Sequence, residues 1–161
     1  MFPKKTLIEV AAAVAVVAAV YVLTFATQPR IDVDGGKGYD GAYYHDMAER
    51  MANGEPPAGQ WRYVRRIGTP ILAAVADSLD PLRGFLIVNV AATVISSVLL
   101  LFWLRRYLET PWLRVALVAL YATHWLQLVR FTVFYPALVD PWTQVACFAG
   151  LNCIAWYEEN P

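Results

Sequence analysis

The sequence predicts an all-α, polytopic membrane protein with about four transmembrane helices and a long outer loop carrying short interfacial helices. Three observations carry that expectation. Apolar residues make up 58% of the 161-residue chain, against about 45–50% in an ordinary soluble domain. Mean hydropathy is +0.43, and the apolar excess is gathered into runs rather than spread. Charge is gathered as well: Asp32, Asp34, Asp40, Asp46, Glu49, Arg62, Arg65 and Arg66 all fall between the first two runs.

Leu7 to Ala26 is the first run, nearly unbroken, with Glu9 near its start. Leu86 to Leu104 is the second, interrupted only by Asn89, Thr93, Ser96 and Ser97. A bilayer core takes about 20 apolar residues in helix, so both suffice. Leu113 to Val129 is a third candidate despite Arg114, His124 and Gln127, and Trp142 to Trp156 a fourth, at the short end. Lys4 and Lys5 resemble the start of a secretory signal, but the apolar core after them exceeds the roughly 7–15 residues usual there. The residues Phe25-Ala26-Thr27-Gln28 make a poor cleavage site, so the first run reads as an uncleaved anchor. Residues 1–161 then form one membrane domain with an outer loop over 27–85. Cys147 and Cys153 lie in the fourth run, about 9 Å apart along a helix axis. They cannot bridge each other and read as small buried hydrophobes.

Lys4 and Lys5 precede the first run, Arg105 and Arg106 end the second, and Arg114 opens the third. The positive-inside rule puts those ends, and both termini, in the cytoplasm. The outer loop and the short turn from Arg130 to Pro141 then share the outer face. The formal net charge of zero gives no bulk attraction toward nucleic acid. Within the loop, Gly35, Gly36, Gly38 and Gly41 surround Tyr39-Asp40. Ala42 to Ala52 reads as a helix supported by His45/Glu49 and Asp46/Arg50 pairs, and Asn53-Gly54 and Pro56-Pro57 end it. Pro70 to Leu79 is a short apolar helix closed by Asp80-Pro81, suited to the leaflet surface or to a re-entrant segment.

Several residues are candidates for chemistry. Asp32 and Asp34, one residue apart, can share a divalent cation (Mg or Mn) that in turn holds phosphate oxygens; the same residues also suit a solvated turn. Asp40 sits among glycines and the aromatics Tyr39, Tyr43 and Tyr44. It reads either as a general base or as the cap of the following helix. Arg62, Arg65 and Arg66 match the oxygens of a phosphate or pyrophosphate, or anchor anionic headgroups, with Tyr44 a further binding residue. His124 reads as a packing residue, and His45 with Glu49 as a surface pair. Arg130 and Asp140 flank the second outer turn, which also holds Tyr135-Pro136. No G-x-S-x-G, P-loop, CxxC or H-E-x-x-H occurs, so hydrolase, ATPase, thiol-redox and zinc-protease readings have no support.

Tyr39-Asp40-Gly41-Ala42-Tyr43-Tyr44, followed by Arg62-Tyr63-Val64-Arg65 leading into Pro70-Ile71-Leu72, resembles the N-terminal part of bacterial polytopic GT-C-type glycosyltransferases. The likeness runs from about Leu7 to Pro161, and its specific part from Tyr39 to Pro70. It implies a membrane enzyme of cell-surface glycopolymer formation that uses polyprenyl-phosphate sugars. It further implies an Asp of the first outer loop as base or metal holder, here Asp40, Asp34 or Asp32, with Asp40 favoured. Arginines such as Arg62 and Arg65 would hold the departing lipid phosphate. Family members have about twice as many spans, so the chain reads as an N-terminal module or as part of an assembly with a partner membrane chain or with copies of itself. The competing expectation is a non-enzymatic membrane subunit that binds lipid phosphates or scaffolds an envelope-assembly complex. A transporter fits least, because the charges avoid the middle of the runs.

Overall fold

Alanine and leucine favour helix, and proline and glycine mark its ends; the chain follows those signals closely. The computed structural model describes residues 3–59, 61–124, 128–137 and 141–160, and among them every regular element is a helix. Helix α1 (Lys4–Thr27) takes up the first apolar run and stops where Gln28 turns extended before Pro29. Helix α2 (Gly41–Ala52) ends at Asn53-Gly54, with Gly54 in the left-handed region at φ +76°. Two short helices follow, α3 (Trp61–Val64) and α4 (Gly68–Ala76). Helix α5 (Pro81–Leu104) begins with Pro81 behind Asp80, whose carboxylate accepts the backbone N–H of Arg83 at 3.1 Å. Helices α6 (Pro111–Thr123), α7 (Leu128–Phe134) and α8 (Pro141–Glu159) complete the chain.

The all-helical expectation holds, and α1 and α5, at 24 residues each, are long and apolar enough to cross a membrane. The expected third span from Leu113 to Val129 is corrected: it is not one helix. Its helix stops at Thr123, and His124 leaves with ψ 140°. The Thr123 hydroxyl donates back to the carbonyls of Ala119 and Leu120 at 2.9 and 3.3 Å, in competition with the ladder at its last turn. The 13 residues that remain span about 20 Å, short of a bilayer core. Helix α8 has length enough, at 19 residues, but is too polar to join α1 and α5. The expected Asp46/Arg50 pair is replaced, because Arg50 reaches forward to Glu55 at 3.2 Å and to the Pro56 carbonyl at 3.1 Å. Cys147 and Cys153 are free, as expected, but exposed rather than buried, because α8 packs on α5 and leaves its other faces open. Gln127 and Asp140 lie outside the described residues.

Helix α5 is the hub, packed against α1, α2, α4, α6, α7 and α8. The polar residues that interrupt its apolar run are all buried: Asn89, Thr93, Ser96 and Ser97 are at most 1% exposed. Asn89 donates to the Pro136 carbonyl at 2.8 Å, Thr93 accepts from the Tyr21 hydroxyl at 2.8 Å, and Ser96 meets Tyr121 at 3.3 Å. Asn152 of α8 donates to the Leu99 carbonyl at 2.9 Å. Around this stripe pack Ala13, Val17, Leu101, Val118, Val129 and Val133. Gly84 admits α4, since a Cβ there would lie 2.2 Å from the Ala73 carbonyl oxygen.

At the end of the bundle away from the loop, Glu9 of α1 and Arg114 of α6 form a two-bonded ion pair. The bonds are 2.7 Å (Nη2 to Oε1) and 3.1 Å (Nε to Oε2), and both side chains are buried. Arg114 Nη1 also donates to the carbonyls of Leu108 and Glu109, so the guanidinium is held on every side. Two residues that look like blemishes in apolar runs thus answer each other across 105 positions. Glu9→Ala should strand the Arg114 charge and cost about 3–5 kcal/mol. Glu9→Ala with Arg114→Met should recover most of that. Denaturant midpoints of the two variants against the parent in detergent check this, and equal losses would mean that the pair is not the cause.

Candidate functional site

The opposite end of the bundle holds the loop. Val33 to Gly38 turn tightly, with the Gly36 and Gly38 amides donating to the Val33 carbonyl at 3.2 and 3.0 Å and Asp34 at φ +51°. The turn delivers the chain to Gly41, the first residue of α2. Here the glycines serve a close approach. A Cβ at Gly38 would lie 2.4 Å from the Tyr135 ring, and one at Gly41 2.6 Å from it. The Tyr135 hydroxyl accepts the Gly41 amide proton. The Ile31 amide donates to the Phe134 carbonyl at 2.9 Å and Gln28 to the Arg130 carbonyl at 2.8 Å. The α7–α8 turn and the long loop therefore meet at one end.

Asp40 precedes α2 in the cap position, but its side chain makes no capping bond. Its Oδ1 instead accepts the Tyr63 hydroxyl at 3.0 Å, and that hydroxyl accepts from Arg62 Nη2 at 2.7 Å. The Arg62 guanidinium lies over the same ring, 4.6 Å from its centre. Tyr43 stacks on Tyr63 at 4.5 Å and Tyr44 meets it edge-on at 5.5 Å. The Arg66 guanidinium lies 3.4 Å from the Tyr44 hydroxyl. Beneath them Met47, Ala48, Ala73, Phe85 and Ala137 form a second apolar core that fixes α2 on α4 and α5. Burial pushes the Tyr63 hydroxyl pKa up, and the bond it gives to Asp40 pushes the same way. Burial also raises that of Tyr135. Both tyrosines are thus protonated at neutral pH, Tyr63 donating to Asp40 and Tyr135 accepting from Gly41.

Of the residues singled out from sequence, Asp40, Tyr44, Arg62 and Arg66 come together here. Arg65 is exposed in the turn that follows α3. Asp32 belongs to a different feature, a cleft of about 500 Å³ lined by Arg30, Ile31, Asp80, Leu82, Arg83 and Pro136 among others. Asp34 is exposed in the glycine turn. No group of three His, Cys, Asp or Glu converges among the described residues. A cation between Asp32 and Asp34 would therefore take its other ligands from substrate or water. His45 Nδ1 lies 3.8 Å from the Glu49 carboxylate, but burial and then Lys37 lower its pKa, so it is neutral at pH 7 and forms no ion pair there. Tyr63 and Tyr135 escaped sequence reasoning as site residues. Tyr63 lay in view between two candidate arginines. Tyr135 is 94 positions from its partner Gly41, and only the fold joins them.

Beside the cleft, the Asp77 carboxylate accepts the amides of Asp80 and Leu79 at 3.1 and 3.2 Å and pairs with Arg83. Burial alone would raise its pKa, but the Asp80 amide, the Arg83 guanidinium and the Leu79 amide outweigh it and hold the pKa below the usual carboxylate value. The turn's contribution is thus complete above about pH 4, the unfolded carboxylate value. It fades as pH falls through the lower folded value. Asp77→Asn should flatten that part of the curve of unfolding midpoint against pH between about 2 and 5. Gly41→Ala should push Tyr135 aside and cost about 1–3 kcal/mol in chemical denaturation. Gly35→Ala, at φ +64° but with no neighbour within 4 Å, should leave Tyr135 seated, as tyrosine fluorescence will report.

No family model, curated protein or solved structure matches this chain.

Proposed function

We propose that the chain is a membrane glycosyltransferase of the GT-C type, or the donor-binding part of one. It would use a polyprenyl-phosphate sugar at the outer face of a bacterial cytoplasmic membrane, with both termini inside. The observation that carries this reading is the hydrogen-bonded series Arg62, Tyr63, Asp40 at one end of two apolar helices. It sets a fixed carboxylate beside exposed guanidiniums.

Two features support embedding in lipid. A soluble protein's core helix is mostly buried, whereas only 28% of the apolar stretch of α1 is, and Leu7, Ile8, Val22 and Leu23 stand exposed. Exposed aromatics also gather near the two ends: Tyr107, Trp112, Trp156 and Tyr157 at one, Phe25, Tyr39, Tyr43 and Phe134 at the other. Tyrosine and tryptophan favour that depth of a bilayer.

In the reaction, Asp40 takes the proton of an acceptor hydroxyl as its oxygen bonds to the anomeric carbon. The bond from that carbon to the phosphate oxygen breaks, and its electron pair leaves with the polyprenyl phosphate. Arg62, with Arg65 and Arg66 beside it, meets the charge that develops there. Tyr63 keeps Asp40 oriented, and the Tyr44 hydroxyl offers a further bond to the phosphate. Asp32 and Asp34 would hold a divalent cation that in turn holds phosphate oxygens.

In proteoliposomes given a polyprenyl-phosphate sugar and an acceptor, Asp40→Asn should cut transfer by about 10²–10⁴-fold with folding unchanged, since the amide oxygen still accepts from Tyr63. Transfer at the parental rate would remove Asp40 as base. The alternative is a subunit that binds lipid phosphates or scaffolds a larger enzyme, a role that the open faces of α8 would suit. It takes over if the parent chain transfers nothing, alone or beside a partner membrane chain, yet retains the lipid phosphate.

A further inference from the structure

A second charged feature lies at the end away from Asp40, where α5 finishes. The last turns of α5 and the C-terminal part of α8 border an open cleft of about 590 Å³, lined by Leu99, Phe102, Arg105, Arg106, Asn152 and Glu159. Its polar groups are not equally committed. The Asn152 amide is spent on the carbonyls of Leu99 and Phe148 at 2.9 and 2.8 Å. Arg106 is paired with Glu159. Arg105 differs: its Nη1 is shielded from solvent and has no hydrogen-bond partner among the described residues. A guanidinium nitrogen withdrawn from water without a partner costs more than an ordinary unmade bond, because the group is charged.

The rim carries two guanidiniums and one carboxylate, a surplus of one positive charge, above an apolar wall of Leu99 and Phe102. One turn back from Leu99, on the same helix face, Ile95 continues that wall and is 40% exposed. A cation at the mouth over an apolar wall fits a molecule with an anionic head and a hydrocarbon chain. The α5 C-terminus opposes an anion only weakly, by less than a charge-assisted bond to phosphate returns. A free phosphate would satisfy the rim and leave the wall in water; a lipid covers both.

We propose that the α5–α8 cleft binds an acidic glycerophospholipid, with Arg105 holding its phosphate and Leu99 and Phe102 bordering its acyl chain. The proposal needs α5 in lipid, but not the sugar-transfer reading. Arg106 contributes less because Glu159 neutralises it, so Glu159→Gln frees a second guanidinium and tightens the site.

The test titrates the full-length purified chain in detergent with phosphatidylglycerol, phosphatidylcholine or inorganic phosphate, reading thermal midpoint and lipid retained in native mass spectrometry. Phosphatidylglycerol should raise the midpoint and remain bound, and the other two should not. Arg105→Gln should weaken apparent affinity about tenfold, and Glu159→Gln should strengthen it several-fold. Leu99→Trp, which fills the cleft and leaves Arg105 in place, should also weaken retention, so the test survives if Arg105→Gln folds poorly. Equal response to phosphatidylcholine, the same shift from inorganic phosphate, or parental affinity in Leu99→Trp overturns the proposal. A failure of sugar transfer in the Asp40 experiment leaves these readings unaffected.

Discussion

The bond from Asn89 to the Pro136 carbonyl ties the turn after α7 to helix α5. Asn89 is fully buried on α5, and Pro136 sits in the turn that follows α7. An amide and a carbonyl left apart in such surroundings would cost about 1–3 kcal/mol each, so the turn is drawn onto α5 at that height. Tyr135, the residue before it, then falls against Gly38 and Gly41. Gly41 begins α2, and Asp40 precedes it. The position of the candidate carboxylate is thus set by a polar residue in the middle of an apolar helix, through one proline and one tyrosine.

The rest of α5 repeats that logic at other heights. Thr93 receives Tyr21 from α1, and Ser96 meets Tyr121 from α6. Each bond fixes one neighbour's rotation and depth, which apolar packing alone leaves loose. At the far end the Glu9–Arg114 pair fixes α1 against α6. A buried ion pair is weak evidence of stability, since desolvation offsets most of its attraction. Its geometric consequence is firmer: only one register of α1 on α6 brings both bonds to Arg114. Arg114 is further tied to the carbonyls of Leu108 and Glu109, so the α5–α6 connection is fixed by the same contact.

How much of this was legible in the sequence follows from the range of each interaction. Helices α1, α2 and α5 could be read because their apolar runs and their proline and glycine stops are local. The break after Thr123 could not, since the run looks apolar through Val129 and the helix end is marked only by one threonine hydroxyl turned back on the carbonyls of its own last turn. Glu9, Arg114, Asn89, Thr93 and Ser96 were visible as exceptions, but their partners on other elements lie 25 to 105 positions away. At the site, the arginine group and Asp40 were legible as residue types in a pattern. That Tyr63 links them was not, because the 23 positions between Asp40 and Tyr63 must first fold into α2 and the start of α3. For Asp32 and Asp34 the spacing showed only that two carboxylates lie one residue apart; that Asp32 borders a cleft with Arg30 and Arg83 while Asp34 stands in a turn at φ +51° depends on the fold.

The tyrosine between Arg62 and Asp40 has a consequence for what this end of the molecule can do. A guanidinium and a carboxylate exposed side by side pair with each other, for about 0–1 kcal/mol, and each thereby loses much of its use to a ligand. Here the Arg62 guanidinium lies over the Tyr63 ring and spends one N–H on its hydroxyl, and the hydroxyl passes its own proton toward Asp40. The two charges are held close without cancelling. Tyr43 and Tyr44 pack the ring on its face and edge, so it cannot swing away and let them collapse together. An arrangement that served stability alone would gain more by pairing the charges or removing them. Keeping a cation and an anion apart on a rigid aromatic spacer suits a ligand that brings both an anionic group and a proton to be taken.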